Sequence, residues 1–159
     1  MAADQLSQTT DALTADGGIV RLRSVNRNDA AGLTDLYRRG SADNLRLRFF
    51  SNPGDRALEN EIDRLVRDPG GDHEVVVAEH ADALIGVASY ERLDDHPGTG
   101  EFAIFVDDKH HGQGVGTLLL EHLAARARRH GISELVGEVL PTNTGMLRVA
   151  KDLTGHTTL

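Results

Sequence analysis

No cysteine occurs among the 159 residues. That excludes disulfides, thiolate metal sites and a cysteine nucleophile, so any acyl transfer has to proceed without a thioester on the chain itself. Basic charge is also short: 17 Lys and Arg stand against 25 Asp and Glu, a net charge of −8. Nucleic acid and anionic membrane both reward clustered Lys and Arg, so this balance argues against them and suits a cationic partner. No run of eighteen apolar residues is present, and the N-terminus Met-Ala-Ala-Asp-Gln-Leu-Ser-Gln has neither a basic nor an apolar leader region. No membrane or targeting role is needed, and the expectation is a cytoplasmic protein. With 39% hydrophobic and 26% charged residues, the chain has the composition of one soluble globular domain. Residues 1–8 are expected to be a flexible extension and 9–159 the domain.

Local patterning alternates between strands and helices. Strands are predicted over 9–15 and 19–25, flanking the hairpin-type turn Asp16-Gly17-Gly18. Asn28 and Asp29 offer a cap for a helix over 30–39, where Leu33, Leu36 and Tyr37 recur at helical spacing. Further helices are predicted over 41–50 and 58–67, the second ended by Pro69-Gly70-Gly71. Strands over 74–79, 83–92 and 100–106 follow, joined by a polar tip at 80–82 and by Asp94-Asp95-His96-Pro97-Gly98, as in an antiparallel meander. A helix over 117–130 would turn Leu119, Leu120, Leu123, Ala124 and Ala127 to a core and Glu121, Arg126, Arg128 and Arg129 to water, with Gly131 as its stop. A strand over 134–140 completes a crossover and should run parallel to 100–106. A last helix is predicted over 143–153. The sum is an α/β fold: a mixed, mostly antiparallel sheet with one parallel pair, flanked by helices.

The segment His111-Gly112-Gln113-Gly114-Val115-Gly116 joins the apolar strand Glu101-Phe-Ala-Ile-Phe-Val106 to the helix that opens at Thr117. Glycines let the backbone turn sharply and come close to a ligand, and the N–H groups of a helix's first turn lack intrahelical acceptors. Such a strand, glycine loop and helix start is an anion site for phosphate or pyrophosphate. No Lys-Ser/Thr pair follows the glycines, as a nucleotide P-loop would require, and no second Rossmann-like unit is present.

Over residues 19–155 the order of elements, the glycine loop and Asn143 resemble the GNAT superfamily of N-acyltransferases. Its acyl-CoA pyrophosphate loop has the form Gln/Arg-x-x-Gly-x-Gly/Ala, matched here with His111 in the first position. A closer similarity is to the GNAT domains of bacterial protein lysine acetyltransferases. It is carried by Asp16-Gly-Gly-Ile-Val-Arg-Leu-Arg23, Leu45-Arg-Leu-Arg-Phe-Phe-Ser51, Gly100-Glu-Phe-Ala-Ile-Phe-Val106 and Leu135-Val-Gly-Glu-Val-Leu140. The resemblance implies the GNAT fold with a splayed parallel strand pair, acetyl-CoA as co-substrate and no metal. It further implies the ε-amine of a protein lysine as acceptor, with acetyl-CoA synthetase as a typical target. It implies cofactor contacts at Phe105, Val106, His111, Gly112, Gln113, Gly114, Val115, Gly116, Thr117 and Asn143, and a general base at Glu101. Arg46 and Arg48 fall in the segment that lies near the acceptor in the resembled proteins, although packing of these arginines over Phe49 and Phe50 explains them equally well. Asp107 and Asp108 are loop carboxylates whose role would be attraction of the acceptor.

Chemistry supports Glu101 independently. An acceptor lysine with a pKa near ~10.4 is almost wholly protonated at neutral pH, and only the free amine attacks a thioester. Glu101 lies on the strand that feeds the glycine loop, five residues before Val106, where a ligand running back along the strand would bring its thioester. The competing reading is a solvated carboxylate at a strand start. Many GNAT enzymes carry a Tyr acid seven residues after the Asn; here that position is Ala150, so the thiolate would leave unaided or take its proton from water. The family's closing strand and its Gly-Phe have only Gly155-His156 and three further residues here, which raises the expectation of a domain excised from a longer protein. His110 and His111 are adjacent and have no completing ligand set, so they read as loop residues rather than a zinc site, and His122 and His130 read as surface residues. Two other functions remain open: acetylation of a small-molecule amine, and a non-catalytic acetyl-CoA sensor, which would bind acetyl-CoA without turnover.

Overall fold

The computed structural model describes residues 9–40, 54–67, 70–110 and 112–137. Six strands form one sheet in the order β1-β2-β3-β4-β5-β6. They are β1 (Thr10–Leu13), β2 (Ile19–Ser24), β3 (His73–His80), β4 (Ala83–Leu93), β5 (His96–Val106) and β6 (Glu134–Val136). All neighbours run antiparallel except β5 and β6, which are parallel, with Thr99 opposite Glu134 and Glu101 opposite Val136. Among the described residues three α-helices, α1 (Ala30–Arg39), α2 (Asp55–Leu65) and α3 (Val115–Arg129), cover the sheet. The helix expected over 41–50, the one expected over 143–153 and the rest of the strand expected over 134–140 lie outside the described residues.

Each face of the sheet has its own core, because side chains alternate along a strand. On one face Val20, Leu22, Val76, Ala78, Ala88 and Tyr90 meet Val115, Leu119, Leu120, Leu123 and Ala127 of α3. On the other, Val75, Val77, Val87 and Phe105 meet Leu33, Leu36 and Tyr37 of α1 and Ile62 and Leu65 of α2. Leu119 and Leu123 are 0% exposed. Burial of that completeness is worth about 1.5–3 kcal/mol per side chain. Gly86 on β4 brings α3 close: a Cβ there would stand 2.9 Å from the Leu119 side chain. The helix stops in a Schellman motif at Gly131, whose φ is +79°. The Gly131 N–H donates to Arg128 O at 3.2 Å and the Ile132 N–H to Ala127 O at 2.9 Å, with Ile132 buried behind them.

Four expectations need correction. Arg126 is not solvated: it is 5% exposed, turned to the sheet, and its guanidinium donates to Ser24 Oγ. Ala124, expected in the core, is half-buried. Asp29 stands at the N-cap of α1 but makes no side-chain cap bond to it, and the side-chain cap sits one 3-10 turn earlier, at Asn26 rather than Asn28. Asn26 Oδ1 accepts from the Asn28 N–H at 2.9 Å, and Asp29 reaches back to the Asn26 N–H at 2.8 Å, closing a capping box around a 3-10 turn over Arg27–Asp29. Finally, β5 starts at His96 rather than 100 and includes Pro97. Proline is tolerated because the register jumps there, from Arg92 opposite Gly100 to Leu93 opposite His96, so the looped residues need no ladder bond to β4.

Candidate active site

The glycine loop forms the N-terminus of α3, as its local chemistry demands. Gly112 and Gly114 have φ of +79° and +86°, the left-handed region that costs other residues dearly. Gly116 is different: it has no such φ, and a Cβ on it would meet Ile104 at an ordinary 3.6 Å. The first intrahelical bond runs from the Leu118 N–H to Gly114 O at 3.0 Å. The N–H groups of Val115, Gly116 and Thr117 therefore have no acceptor within the helix, and no side chain caps the end. This is the positive end of a fifteen-residue helix. Gln113 ties the loop to the β1–β2 turn, its carbonyl accepting from the Ala15 N–H at 2.9 Å. Val115 is buried in the α3 core, while Gln113, Gly116 and Thr117 are half-buried and Gly112 and Gly114 exposed.

Midway along β5, and not at the strand start expected of it, Glu101 is exposed. It shares a face with Phe105, which packs against α1 and α2, whereas Phe102, Ile104 and Val106 pack on the α3 side. Glu101 thus projects from the face opposite α3. Along β5 it stands five residues from Val106, about 17 Å at ordinary strand rise. Its neighbours in register are Glu91 on β4 and Val136 on β6. Glu91 meets two cations, Arg67 at 2.5 Å and Arg64 at 3.9 Å, and the His73 ring at 3.2 Å. Burial holds the His73 imidazole below its ordinary value, and Arg67 adds to the effect, so the ring faces Glu91 mainly as the neutral base. This cluster, like the buried Glu61 that receives Arg64 at 2.7 Å and the Tyr37 hydroxyl at 3.4 Å, had no signal in the sequence, since its members come from α1, α2, the turn after α2, β3 and β4.

Among the described residues β6 pairs with β5 only over Thr99 to Glu101. Where β6 ends, Gly137 admits the Phe102 ring, which would stand 2.8 Å from a Cβ. The expected splay of Phe105 and Val106 from 134–140 involves residues outside the described set, as do the expectations at Arg46, Arg48, His111 and Asn143. Phe105 itself is buried, its ring 4.6 Å from that of Tyr37. Asp107 is interior too, 6% exposed and engaged by Arg39, and the exposed carboxylate of the pair is Asp108. No three His, Cys, Asp or Glu side chains converge as a metal set among the described residues, and none of their helices is long and apolar enough to cross a membrane.

The Acetyltransferase (GNAT) family profile matches residues 40–155, well over half of the chain. The chain belongs to the GNAT acetyltransferase family. It is an acyltransferase, and acetyl-CoA is its co-substrate. Among solved structures it is similar to the GNAT domain of S. lividans PAT, with 30% identity over 93% of this chain and 88% of that one at a TM-score of 0.84. It shares the fold of yncA from Salmonella typhimurium, solved with its cofactor acetyl-CoA, at 24% identity, 85% and 78% coverage and a TM-score of 0.68. It also shares the fold of the cAMP-binding acyltransferase from Mycobacterium smegmatis, at 23% identity and a TM-score of 0.63, where it covers 94% of itself but 45% of that longer chain.

Proposed function

We propose that this GNAT domain acetylates the ε-amine of a lysine in a protein substrate, with an acyl-CoA synthetase as the target class, and that Glu101 is its general base. The observation that carries the reading is the placement of Glu101. Its exposed carboxylate stands on the strand that runs into the glycine loop, on the face away from α3. The 30% identity to the GNAT domain of PAT supports a protein substrate. In this reading the N–H groups of Val115, Gly116 and Thr117 hold the pyrophosphate, with Gly112, Gly114 and the Gln113 backbone shaping the cradle and His111 and Asn143 adding contacts. The pantetheine arm follows β5 past Val106 and Phe105 towards Glu101, crossing the sheet at the β5–β6 edge. This reading assigns Arg46 and Arg48 to binding of the acceptor. The same reading sets the reaction in the cytoplasm and takes residues 9–159 as the catalytic domain.

Glu101 would remove a proton from the acceptor ammonium, directly or through one water, and the free amine attacks the thioester carbonyl. The new N–C bond forms, the nitrogen gives up its second proton to solvent, and the C–S bond breaks, so that the CoA thiolate leaves with the sulfur electron pair. A thiol pKa of about 8.5 makes that departure feasible with solvent as proton source. Glu101→Gln should lower kcat by about 10²- to 10⁴-fold. Acetyl-CoA KM should stay nearly constant, because the residue touches neither pyrophosphate nor pantetheine. Labelled acetyl-CoA offered with a panel of bacterial acyl-CoA synthetases is the test. Labelling of free small amines alone would dismiss the protein-substrate reading, and an unchanged rate in Glu101→Gln would dismiss the base.

A further inference from the structure

Asp107 follows the last residue of β5, and four chain segments converge on it. Its Oδ2 accepts from Arg39 Nε at 3.3 Å, and its Oδ1 accepts from the Lys109 N–H at 3.1 Å. Its own N–H donates to Ile85 O at 2.8 Å, and its carbonyl accepts from the His110 N–H at 2.9 Å. Arg39 also donates to Leu84 O at 2.7 Å, so one guanidinium joins the start of β4 to the end of β5. Arg39 is the last residue of α1, whose end is bolted to the same strand by two further contacts. Tyr37 lies on the Phe105 ring, and a Cβ on Gly40 would stand 2.6 Å from that ring.

A pair needed only to fill space could be replaced by apolar side chains. What a carboxylate adds is directional: Oδ1 holds the Lys109 N–H two residues on, an Asx-type turn that sets the course of the 3-10 turn Asp108–His110 as it leaves the sheet for Gly112. The loop's aim at a ligand is therefore fixed from the side of α1. We propose that Asp107, held by Arg39, is a positioning residue for the acyl-CoA loop, orienting the chain before Gly112 so that the first N–H groups of α3 meet the pyrophosphate. This rests on the reading of Gly112 to Thr117 as the pyrophosphate grip. Asp107 touches no reacting atom, so its loss weakens cofactor binding and leaves the chemical step largely intact.

The test compares Asp107→Ala, Arg39→Ala, their double variant and Asp107→Asn, reading acetyl-CoA affinity by calorimetry and KM and kcat in steady state. Each alanine variant should raise Kd and KM about tenfold with kcat within about threefold. The double variant should be no worse than the worse single, because both act through one contact. Asp107→Asn should recover most of the affinity, since its carboxamide oxygen still accepts from the Lys109 N–H. Should Asp107→Ala fail to fold, Arg39→Ala decides, because that side chain is 41% exposed. Gly114→Val serves as control for the loop itself. Weakened binding in Gly114→Val with unchanged affinity in Asp107→Ala and Arg39→Ala would overturn the positioning role and leave the loop reading standing. Unchanged affinity in all variants would remove both, and a loss of kcat at constant Kd would also overturn the proposal.

Discussion

Asp29 shows how one side chain can serve two elements. Its carboxylate takes both Arg23 guanidinium nitrogens, at 2.8 and 2.9 Å, and also accepts from the Asn26 N–H at 2.8 Å. Burial alone would raise its pKa, yet the Arg23 pair and the Asn26 N–H together hold it below the ordinary carboxylate value. Asp29→Ala removes the second half of the capping box and leaves Arg23 with Glu79, at 3.4 Å, and the Ser24 carbonyl, at 3.1 Å. A bidentate charged pair together with a helix cap is worth about 2 kcal/mol. Thermal or urea denaturation of Asp29→Ala should show a loss of that size at neutral pH, and the difference from wild type should start to shrink as pH falls through 3.8 and fade as it passes the still lower folded value. A variant as stable as wild type at pH 7 would mean that Arg23 finds full compensation elsewhere.

Elements were legible in the sequence where a local signal sets them and illegible where a distant partner does. The bounds of α1, the β3–β4–β5 meander, the Gly131 stop and the parallel β5–β6 pair all follow from periodicity and turn chemistry within a few residues. The placement of Glu101 on β5 and of the glycine loop before α3 was legible for the same reason, since strand and helix are neighbours in sequence. Arg126 was misread because arginine usually faces water, and only the tertiary fold supplies Ser24 and the nearby Glu74. Asp107 looked like a loop carboxylate because Arg39 lies 68 residues away in sequence. The glycines divide the same way. Gly114→Ala puts a side chain at φ +86°, which costs about 1–2 kcal/mol and should raise acetyl-CoA KM. Gly116→Ala adds a methyl at ordinary contact distance in a helical first turn and should raise KM less than Gly114→Ala does, while stabilising the fold by up to about 1 kcal/mol. Equal effects of the two on KM would contradict the assignment of the turn to Gly114.

At the scale of the whole molecule, one sheet separates two cores, and several titratable groups are caught in them. Burial holds His73 on β3 and His122 on α3 below the ordinary histidine value, with Arg67 adding to the first and Arg126 to the second. Glu74 is shifted the other way: burial raises its carboxyl against the pull of Arg126 and His130, whose Nε2 lies 3.3 Å away. A histidine with a depressed folded pKa binds fewer protons folded than unfolded, so stability rises with pH up to the unfolded value of 6.5 and falls in acid below it. A raised carboxyl works in reverse, giving stability below 4.5 that is lost as pH climbs through its folded value. The two effects have opposite signs: the His73 contribution falls as pH drops below 6.5, and the Glu74 contribution falls as pH rises above 4.5. His73→Phe should flatten the histidine contribution, so that acidification from pH ~7 costs less stability than in wild type. Glu74→Gln should do the opposite and steepen the acid loss, because the term that compensates it is gone. Denaturant midpoints measured for the three proteins at half-unit pH steps would separate these terms, and identical slopes in all three would refute the assignment of the pH dependence to His73 and Glu74.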